Sequence, residues 1–222
     1  MGNTKTFVIG TGLSHDGSAC LLADGEVVLA IEKERLTRRK HDGANDRQAM
    51  QYVLDRAGIT LDDVALIVQN ENFGMFHHGN TEYMGEDRLL SDTTQVVTIS
   101  HHLAHAYSAF GPSGFEEAAV LVIDGCGNAY EDCIDVVPGS LISDIPCGLE
   151  HTYYEKDSYY RWQNASLHTV AKDFSPWGFK GWPLSPPTTL HSIGNIYQMF
   201  SRYVFSDFSD SGKLMGLAPY GK

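Results

Sequence analysis

The feature that most constrains this chain is an uninterrupted apolar run, Ala118-Ala-Val-Leu-Val-Ile123, ending at Asp124-Gly-Cys-Gly-Asn128. Six residues bounded by a glycine turn are too few for a stable helix and read as a strand. No polar residue alternates with the apolar ones. The pattern therefore predicts a strand buried on both faces, as in a sheet covered by helices. The fold class that follows is α/β. A carboxylate just after such a strand stands at the carboxyl edge of the sheet, where α/β folds bind ligands.

The segments before this strand agree. Apolar runs at Thr6–Thr11, Ser18–Ala23 and Glu26–Ile31 read as a strand meander. Asp24-Gly25 between the last two tolerates the positive φ of a primed hairpin turn. Asp46–Ala57 has a helical period, with Ala49, Val53 and Ala57 beside Met50 and Leu54. Asn45 or Asp46 can cap it, and Gly58 ends it. Val64–Val68 and Gln95–Ile99 read as strands. Ser100 is placed to cap a helix over His101–Phe110, which Gly111-Pro-Ser-Gly114 breaks. Residues 129–187 read only as strand-like pieces alternating with Tyr- and Trp-rich polar segments. Ser192–Val204 reads as a helix with Ile193, Ile196, Tyr197 and Phe200 on one face. The run at 118 thus restarts the pattern as a second half with its own strand and glycine turn.

Composition narrows the function classes. The chain has 28 Asp and Glu against 16 Lys and Arg, a formal charge of −12. That argues against a nucleic-acid partner gripped through its phosphates. No apolar run reaches membrane-spanning length. The polar start Met1–Thr6 reads as no secretory signal. Cys20, Cys126, Cys133 and Cys147 form no C-x-x-C pair, which indicates no structural zinc site. Four such thiols suit a reducing cytosol, so a cytoplasmic location is expected and the Asn164-Ala165-Ser166 sequon reads as a chance match.

His101 and His105 lie four residues apart on the predicted helix, so their side chains share a face and can grip one ion. His102 lies about 100° around the helix and needs another role. Ordinary hydrogen bonding at a helix start is the competing reading. Asp124 adds a carboxylate, and two imidazoles with one carboxylate suit iron, manganese or zinc. Asp124 could instead bond its own turn. Gly125, Gly127 and Asn128 either let backbone N–H groups approach a phosphate or form a simple β-turn. In the first loop, His15 could act as a general base beside Asp16, or both could serve the turn. Arg35, Arg38, Lys40 and His41 either bind an anion or form a solvated charge run. The aromatic residues from Tyr153 to Trp182 either stack on a sugar or ring substrate or pack.

Five stretches in order carry a resemblance. They are His15–Gly25, Glu32–Asp42, Ser100–Ala106, Val122–Asn128 and Gly212–Gly221. Together the chain resembles the N-terminal portion of the O-carbamoyltransferases of antibiotic and nodulation-factor biosynthesis. The resemblance implies an actin-like ATPase (ribonuclease H-like) fold, with 1–115 as its first half and 116–222 as the start of its second. It implies one divalent metal, iron foremost, on His101, His105 and Asp124, with a further Asp in a later motif that this chain does not reach. A YrdC-like domain, absent here, would make carbamoyl-adenylate from carbamoyl phosphate and ATP. The carbamoyl group would then pass to a hydroxyl of a small, sugar-containing acceptor. On this reading His15 and Asp16 are catalytic. Gly125, Gly127, Asn128, Gly212, Lys213 and Gly216 meet the nucleotide part, and Arg35, Arg38, Lys40 and His41 meet an anion. Two other readings stand beside it. One is a relative of the tRNA threonylcarbamoyl transferases, disfavoured by the acidic charge. The other is a non-catalytic metal- or nucleotide-binding module. Asn45-Asp46 departs from the family's Phe-Pro, and 151–190 matches no family motif and is expected to bear acceptor specificity. The chain reads as a fragment cut at Lys222, inactive for the full reaction.

Overall fold

The structure is a computed structural model, and it describes residues 5–13, 16–43, 46–70, 88–142, 152–177 and 192–221. The chain forms two compact units, Met1–Ile99 and Ser100–Lys222.

The first unit opens with the expected meander, β1 (Phe7–Gly12), β2 (Ser18–Ala23) and β3 (Glu26–Glu32). Asp24 and Gly25 take φ of 52° and 88°, the two positive angles of a primed turn. Helices α1 (Lys33–Thr37) and α2 (Arg47–Ala57) follow, then β4 (Val64–Asn70) and β5 (Gln95–Ile99). The sheet order is β3-β2-β1-β4-β5, with β1 antiparallel to β2 but parallel to β4. The sheet is mixed and α/β, the class read from the sequence. Ala49, Met50, Val53 and Leu54 of α2 pack on Ile9, Leu21 and Ile67 of the sheet. Gly58 ends α2 at φ 68°, as read from the sequence. Asp46 occupies the N-cap position without capping; its carboxylate instead accepts from Thr11 Oγ1 and from Arg88, 3.1 Å away. Asn45 lies outside the described residues.

The second unit carries α3 (His101–Phe110), β6 (Ala118–Ile123), β7 (Leu141–Ile142), β8 (Thr152–Gln163), β9 (Ser166–Trp177), α4 (Ile193–Phe205) and α5 (Ser211–Leu217). Its sheet runs β6-β8-β9-β7. The sequence shows β8 and β9 only as fragments. They form one long antiparallel hairpin, turned by Asn164 and Ala165 at φ of 54° and 57°. Ala106 of α3 packs on Val122 of β6 and Tyr160 of β8, and Phe110 stacks on Trp162 at 4.2 Å.

The burial of β6 departs from the sequence reading. β6 is not buried on both faces: Leu121 is 55% and Ile123 48% exposed, while Val122 is buried. Among the described residues the strand pairs only with β8, so it is an edge strand with one covered face. A continuous apolar run does not say how many of its faces are covered. In α4 the apolar face is largely open: Ile193, Tyr197 and Phe200 are exposed and Ile196 partly buried, whereas Asn195 and Ser201 are buried. The cause is tertiary. Ser192 Oγ caps the helix through Asn195 N and donates to Gly125 O, which binds the helix start to the turn after β6.

Candidate metal centre

All three residues of the proposed ligand set lie in the second unit, on two elements. His101 and His105 stand one turn apart on α3. Asp124 follows β6, whose carboxyl end α3 covers. His101 Nε2 lies 3.0 Å from Asp124 Oδ2 and 3.1 Å from His105 Nε2. His105 Nε2 lies 3.7 Å from the same carboxylate oxygen, an ionic contact rather than a hydrogen bond. Ligands about 2.0–2.2 Å from one ion at right-angled to tetrahedral spacing sit roughly 3.0–3.5 Å apart, so the cluster already has ligating dimensions. Two imidazole nitrogens and a carboxylate oxygen are also the donor types that divalent transition metals prefer. The set therefore fits a divalent cation.

The electrostatics agree with the geometry. Burial pushes the Asp124 carboxyl up, but the His101 hydrogen bond and the contacts with the other histidines outweigh it and hold the group well below the usual range. His105 is raised by Asp124, against partial burial. Its side chain is half-exposed, so the cluster opens to solvent on that side. His102 has the other role that its helix angle requires. It is fully buried, its Nδ1 lies 2.8 Å from Ser158 Oγ, and burial depresses it from 6.5 to about 4. It is neutral near pH 7, with Nε2 3.8 Å from Asp124 Oδ2.

The glycine turn is used differently from the phosphate reading. Gly125 N donates to Asp124 Oδ1 at 2.6 Å, Gly127 N to Glu155 O at 3.0 Å, and Asn128 N to Glu155 Oε2 at 2.8 Å. These three donors are committed inside the protein, so the turn does not present them to a phosphate or a developing oxyanion. Asn128 contributes its side chain instead, Oδ1 accepting from His101 N at 2.6 Å. A Cβ at Gly127 would run into Glu155 and His102, so close packing is what requires glycine there.

The other sequence-predicted residues fall elsewhere. His15 lies outside the described residues. Asp16 Oδ1 meets His41 Nδ1 at 3.0 Å, in the first unit. Arg35 pairs with Glu32 and Glu34, and Lys40 with Glu34, so this basic stretch is largely matched by its own acidic neighbours. Arg38 takes φ 61° at the end of α1. Gly212, Lys213 and Gly216 lie on α5, where Lys213 pairs with Asp210 at 2.6 Å.

Among the described residues two further groups bring three metal-ligating side chains together: Asp16, Glu34 and His41, and Cys133, Asp135 and Glu155. The second is filled by the Lys172 ammonium, which bonds both carboxylates. In the first, Glu34 is already taken by Lys40 and by His41 N. The sequence reading missed Glu155, Lys172 and Asp135 altogether. Charged residues in a strand, as Glu155 and Lys172 are, or in a turn, as Asp135 is, carry no signal of burial.

Residues 8–88 and 66–222 match a family model described as the carbamoyltransferase N-terminus. The chain belongs to this family. Nodulation protein NolNO of Sinorhizobium fredii is 28% identical over 228 residues, covering 93% of this chain and 28% of that protein. The uncharacterized protein sll1178 of Synechocystis is 29% identical over 247 residues, covering 94% of this chain and 33% of its own length. This carbamoyltransferase N-terminal chain thus spans a third or less of these relatives. Among solved structures, YeaZ from Pseudomonas aeruginosa is similar at a TM-score of 0.38 and 18% identity, covering 77% of this chain and 67% of that one. No helix among the described residues is long and apolar enough to cross a membrane.

Proposed function

We propose that this chain is the carbamoyl-transfer portion of an O-carbamoyltransferase, with His101, His105 and Asp124 holding one divalent ion. The observation that carries the reading is the convergence of two imidazole nitrogens and a carboxylate oxygen within 3.0–3.7 Å in a chain of this family. Such a donor set suits iron, manganese or zinc. When bound, the ion supplies Lewis-acid chemistry, polarising a carbonyl or neutralising a phosphoryl oxygen.

The donor in this reading is carbamoyl-adenylate, and the acceptor is a hydroxyl of a small, sugar-containing molecule. The new bond joins the acceptor oxygen to the carbamoyl carbon. The bond from that carbon to the adenylate phosphate oxygen breaks, and AMP leaves with its electron pair. The acceptor's proton passes to a base, for which the sequence offers His15. Asp124 would contribute a negative charge to the ion, and His105, half-exposed, marks the solvent-facing side of the set. The acidic balance of the chain favours a small acceptor over tRNA.

Metal content tests the reading. His101→Ala and His105→Ala are expected to lose bound metal, whereas His102→Ala retains most of it. Equal metal content in wild type and all three variants, measured by elemental analysis, would overturn the ligand assignment. Transfer from preformed carbamoyl-adenylate is expected to fall with His15→Gln, and full activity in that variant would remove His15 as the base.

A further inference from the structure

The three donors come from two elements, α3 and the turn after β6, so something must hold these in register. The contacts that do so converge on one buried lysine. Lys172 of β9 has no exposed surface, and its ammonium bonds Glu155 of β8 and Asp135, the latter at 2.8 Å. Each carboxylate continues to the first turn of α3. Glu155 Oε2 accepts from His102 N at 3.4 Å and from Asn128 N at 2.8 Å, so one oxygen touches both the helix and the turn. Asp135 accepts from the Ser100 hydroxyl, which is why Ser100 sits at the N-cap without capping its own helix. Asn128, fixed by Glu155, accepts from His101 N. The leading N–H groups of α3 are thus satisfied from across the fold, by groups that Lys172 ties together.

We infer that Lys172 and Glu155 are positioning residues that set the ligating geometry of His101, His105 and Asp124, an inference that rests on the metal reading above. Stability is a weak reason to keep such a pair. Desolvation offsets most of the attraction between buried charges, and well-packed apolar residues often do as well. Fixed geometry is the better reason, because partners beyond the ligands hold them in place, and losing one commonly costs 10–100-fold in metal affinity.

The test uses the full chain with Co(II) as the probe, read by equilibrium dialysis and by the ligand-field absorption of the bound ion. Glu155→Gln and Lys172→Met are each expected to weaken Co(II) binding by roughly 10–100-fold and to shift the absorption bands. The double variant is expected to bind better than Lys172→Met alone, because the glutamine oxygen still accepts from His102 N and Asn128 N while no carboxylate is left unpaired at that position. Leu167→Ala is the control. It thins the same small core, away from both the turn and the helix start, and is expected to lower the melting temperature at unchanged affinity. Wild-type affinity and spectrum in Glu155→Gln would overturn the inference, as would an equal loss of affinity in Leu167→Ala. If Lys172→Met does not fold, Glu155→Gln decides alone. If wild type binds no Co(II), the metal reading fails by itself. Positioning is then decided by the imidazole ¹⁵N shifts of His101 and His105 in metal-free protein at fixed pH. Movement in Glu155→Gln and not in Leu167→Ala supports it, and unmoved shifts refute it.

Discussion

Lys172 shows how burial and pairing compete at a single residue. Burial alone lowers a lysine pKa, yet Glu155 and Asp135 outweigh it and hold the group above 10.5. Burial likewise pushes Asp135 up, and Lys172 pulls it below 3.8. The signs set a pH window. A carboxyl depressed on folding contributes stability above its unfolded value and loses it as pH falls through the folded one. An elevated ammonium contributes below its unfolded value and loses it as pH rises through the folded one. The network's contribution is therefore intact from about pH 4 to about pH 10 and declines outside. Asp135→Asn is expected to be less stable than wild type near neutrality, with the gap narrowing as pH falls below about 4, measured as urea midpoints across pH. Gly127 poses a steric problem instead. Its φ is ordinary, so alanine is allowed by the backbone, but a Cβ meets Glu155 and His102. Gly127→Ala is expected to cost about 1–3 kcal/mol of unfolding free energy, as overpacking does.

Elements were legible where one face of regular period meets a core. α2 was readable because Ala49, Met50, Val53 and Leu54 recur at helical spacing and do pack on the sheet. β8 and β9 were not, because their buried positions include Glu155, Ser158 and Lys172, which break the apolar alternation of a half-buried strand. In α4 the period marks the helix but not which side is covered. Its apolar stripe faces outward, since the helix is seated by its start on the Asp124–Gly125 turn. Gly194 makes that seat possible: a Cβ there would meet the backbone of Asp124 and Gly125. Two effects oppose each other in Gly194→Ala. Helix propensity gains up to about 1 kcal/mol, and overpacking against rigid backbone costs about 1–3 kcal/mol. The second wins because backbone atoms cannot swing aside as a side chain can. The variant is expected to have a lower denaturation midpoint and weaker metal retention, and a raised midpoint would refute the packing argument.

At the scale of the whole molecule, the two units have separate hydrophobic cores, and every proposed metal ligand lies in the second. All three tryptophans of the sequence come after Ile99, and the described ones, Trp162 and Trp177, lie on β8 and β9 of that unit, so tryptophan fluorescence follows its unfolding. A metal ion at 100 times its dissociation constant is expected to stabilise this fluorescence-monitored transition by about 2.7 kcal/mol. His101→Ala is expected to abolish that shift. Ile67→Ala, a truncation in the first unit's core costing about 2–5 kcal/mol, is expected to leave the shift intact. The sequence by itself determined the α/β class, the first meander with its Asp24-Gly25 turn and the family, and it singled out the proposed ligands His101, His105 and Asp124. All of these rest on local period, turn chemistry or short ordered motifs, which neighbouring residues carry. Only the tertiary structure decided that the donors of the glycine turn are consumed internally and that α4 hides its polar side. It alone showed that a lysine, two carboxylates and an asparagine far apart in sequence hold the histidine helix. Those outcomes depend on which polar groups the fold buries together, and burial is a property of the packed chain, not of any segment within it.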